Sequence, residues 1–227
     1  MPPHPPGAPD QTPPAELEPA EEPASALARL TAPTIAHYDQ QAEAFRAGTW
    51  DHDVSQNRAA FLGALEGPPP HVILDLGCGP GRDLCHFRGL GHRVVGLDGS
   101  AVFVAMARQA SGCPVLHQDF LALDLPPGHF DGVFANASLF HVPRAALAEV
   151  LARLHACLKP RGVLFSSNPR GENQEGFQGG RYGCYHDLET WRAHLGAAGF
   201  AELDHYYRPA GLPRHQQPWL ATLWRKT

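Results

Sequence analysis

The stretch His71-Val-Ile-Leu-Asp-Leu-Gly-Cys-Gly-Pro-Gly-Arg-Asp83 decides the fold. Three apolar positions run into an acidic residue, and glycines then fall at every second position: Gly77, Gly79 and Gly81. This pattern predicts a buried parallel strand entering a turn tight enough to bring backbone against a ligand. Downstream, Val94-Val-Gly-Leu-Asp98 supplies a second apolar strand that ends in a carboxylate. A glycine turn followed by a carboxylate at the next strand tip is a nucleoside-binding arrangement. The spacing narrows the ligand. Dinucleotide sites use G-x-G-x-x-G, where a helix N-terminus faces a pyrophosphate. Here the pattern is G-x-G-x-G, Asp75 stands two residues before it, and no P-loop Lys-Ser/Thr follows.

With those residues in place, the segment resembles motif I of the class I S-adenosylmethionine (SAM)-dependent methyltransferases. The resemblance implies an α/β, Rossmann-like methyltransferase fold, with a seven-stranded, mostly parallel sheet whose last strand is antiparallel. The chain's own pattern agrees, because strands and helices alternate after residue 70. Strands are expected near 71–77, 93–98, 114–118, 131–137 and 161–167, the last fed by a turn at Pro160-Arg-Gly162. Helices are expected near 81–90, 101–111, 145–158 and 187–198. Residues 201–207 and 219–224 read as a terminal antiparallel pair.

Ahead of the sheet, nine prolines crowd the first 23 positions, beside an acidic Glu16–Glu22 patch. Such a segment buries too little apolar surface to offset ordering entropy, so residues 1–28 read as a disordered tail. Residues 29–70 read as two N-terminal helices forming a substrate lid. One covers 35–47 and ends at Gly48; the other runs from about Asp53 to Leu65, capped by Asp53 or Ser55. The SAM-binding core then occupies 71–227, with a substrate-binding insertion at about 168–186.

The net charge of −5 and the lack of a basic stripe argue against a nucleic-acid partner. No apolar run approaches twenty residues and no signal peptide is evident, so no membrane association is expected. The five scattered cysteines include no C-x-x-C, which fits reduced thiols in a cytoplasm. Fourteen histidines form no compact ligand set, and no metal is expected.

The cofactor site is expected to use Asp75, Gly77, Cys78, Gly79 and Gly81 from the turn, with Asp75 placed to orient it. Asp98 can accept both ribose hydroxyls, with Gly99 and Ser100 following; a helix N-cap is its plainer role. By resemblance, Asp119 takes the adenine amino group and the backbone of Phe120 meets a ring nitrogen. Met106 is expected either on the adenine face or simply in the core. Ala135 and Asn136, at the carboxyl edge of the sheet, should lie near the methionine end. Aromatic faces and carboxylates suit the sulfonium charge, and Tyr38 is positioned to supply one.

A less common set of segments points to the methyl acceptor. Asp53-Val-Ser-Gln-Asn57, Ser167-Asn-Pro-Arg-Gly-Glu-Asn-Gln-Glu-Gly176, Arg181-Tyr-Gly-Cys-Tyr-His-Asp187 and His205-Tyr-Tyr-Arg-Pro-Ala-Gly-Leu-Pro-Arg214, with Gln217-Pro-Trp-Leu220, resemble the C-terminal methyltransferase domain of ovothiol synthase. The likeness covers roughly residues 35–227. It implies transfer of a methyl group to the imidazole π nitrogen of 5-thiohistidine (4-mercaptohistidine). The chain lacks the iron-dependent sulfoxide synthase portion, so the resemblance implies a stand-alone enzyme supplied by a separate sulfoxide synthase protein.

Such an acceptor carries a carboxylate, an ammonium, an imidazole and a thiolate. Arg170, Arg181, Arg208 and Arg214 are candidates for its anionic groups; Asp53, Glu172 and Glu175 for its ammonium. Tyr38, Asn57, Phe140, Asn168, Tyr182, Tyr185, Tyr206 and Tyr207 complete the expected substrate wall. One ring proton must leave, and His141 is the first candidate base, with a core or capping role as its plainer reading; Asp53 and Tyr38 follow. The rival readings are a methyltransferase acting on a quinone, another thiol or an amine, and a SAM-binding protein without catalysis.

Overall fold

The computed structural model describes residue 1 and residues 23–227; the expectation for residues 2–22 of the tail lies outside the described residues. A seven-stranded sheet is built from β1 (Val72–Leu76), β2 (Arg93–Asp98), β3 (Val115–His117), β4 (Phe130–Asn136), β5 (Leu158–Pro169), β8 (Phe200–Arg208) and β9 (Trp219–Lys226). Between β5 and β8 in sequence, β6 (Gln174–Gln178) and β7 (Arg181–Tyr185) form a separate antiparallel hairpin. The order in the sheet is β3-β2-β1-β4-β5-β9-β8. The first five strands run parallel, and β9 is antiparallel to both its neighbours. This is the Rossmann-like methyltransferase fold, as expected. The order reverses between β1 and β4, and open α/β sheets bind ligands outside the carboxyl ends at such a switch point.

Six α-helices accompany the strands among the described residues: α1 (Pro23–Thr49), α2 (Ser55–Ala64), α3 (Arg82–Gly89), α4 (Ala101–Ser111), α5 (Arg144–Cys157) and α6 (Leu188–Ala197). Both sheet faces are covered, so β1 reads apolar almost continuously: Ile73, Leu74 and Leu76 are fully buried. Leu74, Leu76, Val133 and Leu164 share one core layer with Leu147, Leu151 and Trp191 of α5 and α6. Ile73, Val94, Phe134 and Phe165 share the other with Phe61, Leu84, Phe87 and Val104 of α2, α3 and α4. Phe61 presses so closely on β4 that a Cβ at Gly132 would stand 2.5 Å from its ring, which leaves room only for glycine.

Two expectations change. The first helix begins at Pro23, ahead of residue 35, so six residues of the expected tail are helical. Proline removes a helical hydrogen bond, yet α1 carries Pro33 internally. Tertiary contacts outweigh that local cost: Thr31, Thr34, Tyr38 and Asp39, on one helical face, bond to residues of the core and the hairpin. The insertion after β5 is an ordered hairpin. Finally, β5 starts at Leu158 and absorbs Pro160-Arg-Gly162 as an irregularity, with Arg161 at φ 63.

Candidate active site

A cavity of about 740 Å³ opens at the carboxyl ends of β1, β2 and β4, with α1 across it. That volume lies in the upper part of the range for small-molecule sites. Along its floor run Gly77, Cys78 and Gly79 of the turn, then Asp98, Gly99 and Ser100, then Asp119 and Phe120. Asp98 is held in place by the backbone: its Oδ2 accepts from Gly79 N and its Oδ1 from Ser100 N, both at 2.9 Å. Each oxygen keeps a lone pair for a ligand hydroxyl. Burial pushes the Asp98 carboxyl up to about 6, against the downward pull of those two N–H groups. Ser100 Oγ caps α4 by accepting from Phe103 N at 3.0 Å, and donates to Asp39 Oδ1 at 2.6 Å. Asp119 accepts from Leu121 N and from Thr31 Oγ1, each at 2.9 Å.

The facing wall is aromatic and basic. Tyr38, Phe45 and Phe103 form a box, with ring centroids 5.3–5.6 Å apart. Phe45 comes within 3.8 Å of where a Cβ on Gly79 would stand, so the box adjoins the glycine turn. Tyr38 Oη lies 2.8 Å from His141 Nε2, and His141 Nδ1 lies 2.6 Å from the carbonyl oxygen of Tyr182. A carbonyl only accepts, so Nδ1 carries the proton and Nε2 offers its lone pair to the Tyr38 hydroxyl. Removal from water holds His141 down at about 4, and the nearby Arg181 charge works in the same direction. Burial also raises Tyr38, while Arg181, donating to its oxygen at 3.3 Å, opposes the rise. On the far side, Tyr206 Oη donates to Asn57 Oδ1 at 3.0 Å, and Asn57 Nδ2 donates to Asn136 Oδ1 at 2.8 Å.

Sixteen expected residues line this cavity: the eight floor residues above with Tyr38, Asp53, Asn57, Asn136, Phe140, His141, Arg181 and Arg208. The others do not. Asp75 is buried beneath the turn with its Oδ2 unpartnered; burial and then Asp83 push its carboxyl well up. Gly81, at φ 96, begins α3, where a Cβ would stand 2.8 Å from the backbone of Ala107. Close helix packing therefore explains that glycine. Ala135 is a core residue. Met106 sits one turn further along α4 than Phe103, about 4.5 Å more distant from the helix end at the cavity, and Phe103 lines it instead.

Of the eight arginines and tyrosines expected from 170–214, only Arg181 and Arg208 reach the cavity. Successive strand residues face opposite ways, so Tyr206 meets α2 while Tyr207 lies against Arg170 and Arg214 on the other face of β8. The Tyr182 ring packs on Phe177, and Tyr185 lies 6.0 Å behind Phe140. Asn168 belongs to a separate small cavity behind Phe140. Glu172 does not line the main cavity, and Glu175 caps α5 by accepting from Arg144 N at 3.0 Å. Asp53 stands exposed at the rim, its Oδ1 accepting from Ser55 N at 2.9 Å.

Sequence reasoning missed Thr31, Thr34 and Ile35 of α1, Phe45 and Phe103, the Arg82–Asp83 pair, Ser138, Ser167 and Trp219. The helical spacing 31, 34/35, 38, 42, 45, 49 marks one face and was the available signal for the α1 group. Ser167 and Trp219 carry no comparable signal. Among the described residues no group of three or more His, Cys, Asp or Glu is arranged to hold a metal ion, and no helix is long and apolar enough to cross a membrane.

Residues 73–162 match the methyltransferase-domain family. That match runs from β1 into the start of β5. The chain is 38% identical over 121 residues to the trans-aconitate 2-methyltransferase of Acidovorax sp. (strain JS42), covering 52% of this chain and 46% of that protein. The enzyme of the same name from Escherichia fergusonii is 37% identical over 100 residues, covering 43% of this chain and 38% of that protein. The chain thus spans less than half the length of these curated relatives. Among solved structures, it superposes on Burkholderia thailandensis 1,6-didemethyltoxoflavin-N1-methyltransferase, which holds 1,6-didemethyltoxoflavin and S-adenosylhomocysteine. The TM-score is 0.72 at 24% identity, with 92% of each chain covered. A SAM-dependent methyltransferase from Leishmania major gives a TM-score of 0.72 at 15% identity, covering 85% of this chain and 82% of that one.

Proposed function

We propose that this protein transfers a methyl group from SAM to the imidazole π nitrogen of 5-thiohistidine (4-mercaptohistidine), yielding ovothiol. The observation that carries the reading is the Arg181–Tyr38–His141 chain beside the glycine turn, together with the resemblance over residues 35–227. Asp98 and the turn fit a nucleoside carrying an amino acid end: the carboxylate has free lone pairs, the cavity is large enough, and Asp119 stands at the next strand tip. In this role Asp98 holds the ribose, Asp119 and the Phe120 backbone the adenine, and Gly77, Cys78, Gly79 and Asn136 the methionine end. When bound, SAM supplies a sulfonium methyl with its own leaving group. The aromatic box of Tyr38, Phe45 and Phe103 favours positive charge beside the turn.

The acceptor enters as thiolate and imidazolium. Tyr38 takes the π-nitrogen proton while giving its own to His141 Nε2, which frees the ring lone pair for the methyl carbon. The new N–C bond forms as the C–S bond breaks, and one proton leaves per turnover. Holding the partners in line is worth roughly 7–11 kcal/mol of barrier. In this reading, α1 and α2 form the wall that must move for exchange, and the thiohistidine comes from a separate sulfoxide synthase.

The relatives' name favours a second reading, a polycarboxylate acceptor, which two cavity arginines also suit. Incubation with SAM and, separately, 5-thiohistidine, histidine and trans-aconitate decides between them. N-methylthiohistidine is the expected product; a methyl ester from aconitate with no thiohistidine product would overturn the proposal.

A further inference from the structure

Three guanidiniums line the cavity; Arg82 pairs with Asp83, whereas among the described residues Arg181 and Arg208 form no ion pair. Each of the latter two keeps an Nε that is buried and unpartnered. A buried charge-bearing donor without an acceptor is costly, so each marks a place where the fold reserves room for an anion. They belong to different walls. Arg181, at the start of β7, donates to Tyr38 Oη at 3.3 Å and lies 5.7 Å from the centre of that ring. Arg208, at the end of β8, donates to the carbonyl of Asp53 at 2.8 Å.

Their surroundings distinguish them. Beside Arg208 stands the Asp53 carboxylate, kept ionised by hydrogen bonds from Ser55 and by the Arg208 charge. A cation and an anion side by side at the cavity rim complement an α-amino acid head, whose carboxylate and ammonium are one carbon apart. Arg181 has no such carboxylate; it shares Tyr38 with His141, where the ring would lose its proton. A guanidinium there meets whatever anionic atom the ring itself bears.

Resting on the proposed function, we infer that Arg181 and Arg208 form two separate anion subsites: Arg208 with Asp53 takes the α-amino acid head, and Arg181 takes the ring thiolate. Arg181 thereby determines which atom is methylated. Sulfur is the stronger nucleophile, and its attack would form an S–C bond instead of the N–C bond. Hydrogen bonds from the guanidinium occupy the sulfur lone pairs and hold sulfur against the hairpin wall, leaving the π nitrogen towards the methyl. Arg181 is a specificity residue acting on a ring atom that does not react.

The test is the product ratio of the full chain with 5-thiohistidine, read by mass spectrometry and NMR for wild type, Arg181→Met, Arg181→Lys and Arg208→Met. The S-methyl to N-methyl ratio is expected to rise at least tenfold in Arg181→Met and by less in Arg181→Lys, where a charge remains. Arg208→Met is expected to keep the wild-type ratio and raise KM about tenfold. With 5-thiohistamine, which has no carboxylate, Arg208→Met and wild type should be equally active. S-adenosylhomocysteine affinity and melting temperature establish that each variant retains its site; should Arg181→Met melt early, the ratio in Arg181→Lys decides. An unchanged ratio in the Arg181 variants with a raised KM would overturn the sulfur subsite. A deficit of Arg208→Met that persists with thiohistamine would overturn the head subsite. Failure of the underlying reading looks different: the wild type itself would leave 5-thiohistidine unmethylated.

Discussion

On the glycine-turn side of the cavity, the polar groups come from one short run of chain, Gly77 to Phe120, at the ends of three neighbouring strands. On the facing side they come from α1, the α1–α2 loop, the segment after β4, the hairpin and β8, residues 38 to 208. The first side is fixed by local rules: a strand, a tight turn, a carboxylate at the next tip. The second exists only because the fold brings five elements together. A local site has a spacing that can be read, whereas an assembled one depends on which way each side chain faces. Variants should therefore separate the two sides cleanly, one set changing turnover and the other cofactor affinity.

The largest separation is expected at Tyr38. Tyr38→Phe removes the hydroxyl between acceptor and His141 while keeping the ring of the aromatic box. Turnover on thiohistidine should fall roughly a hundredfold or more, the usual contribution of general acid–base catalysis. Affinity for S-adenosylhomocysteine, measured by calorimetry, should stay within about twofold, because the box is intact. Unchanged turnover on thiohistidine would remove the Tyr38 hydroxyl from the proton path.

Asp98→Ala should do the converse. Losing charge-assisted hydrogen bonds worth about 1.5–3 kcal/mol should weaken S-adenosylhomocysteine by about tenfold or more. The same titration with this variant checks it, and an unchanged affinity would remove Asp98 from the cofactor side.

The contrast in legibility follows the same division. The floor was readable because strand tips and glycine spacing impose it, and the sheet order placed it at the switch point. Arg181 and Arg208 were readable as residue types, but Tyr182, Tyr206 and Tyr207 were not readable as orientations. Tyr206 and Tyr207 are neighbours on β8, and one residue of register sends them to opposite faces. Asp53 lines the cavity, yet its rim exposure depends on where the α1–α2 loop emerges. The His141 tautomer was beyond any sequence pattern, since it is set by the Tyr182 carbonyl, forty-one residues away.

Acidity offers a gentler probe of the same division. Asp98 is raised to about 6, so cofactor-site affinity should be flat above that pH and fall below it. It should be about fourfold weaker at pH 5.5, where only about a quarter of a pKa 6 carboxyl is ionised. For stability the signs oppose. Raised Asp98 penalises the fold above pH 6, and the penalty is relieved as pH falls towards 3.8. Lowered His141 contributes stability that is fully present above its unfolded value near 6.5 and is lost as pH falls through about 4. Comparing melting curves of wild type and His141→Gln between pH 7 and 4 isolates the second effect: the difference between them should shrink as acid is added.

The smallest effect is expected where the two sides meet. Tyr206 reaches from β8 to Asn57, and Asn57 reaches to Asn136 at the end of β4. Asn57 is 1% exposed, so its amide cannot turn to water when a partner is lost. Tyr206→Phe deletes one hydroxyl, keeps the ring against α2, and should cost about 0.5–1.5 kcal/mol in chemical denaturation. The informative readout is functional. If Asn136 is positioned through this relay, the variant should raise KM for both cofactor and acceptor by similar small factors, unlike any change confined to one side. A shift in only one of the two KM values would show that the relay belongs to that side alone, and the division between floor and wall would then run between Asn57 and Asn136.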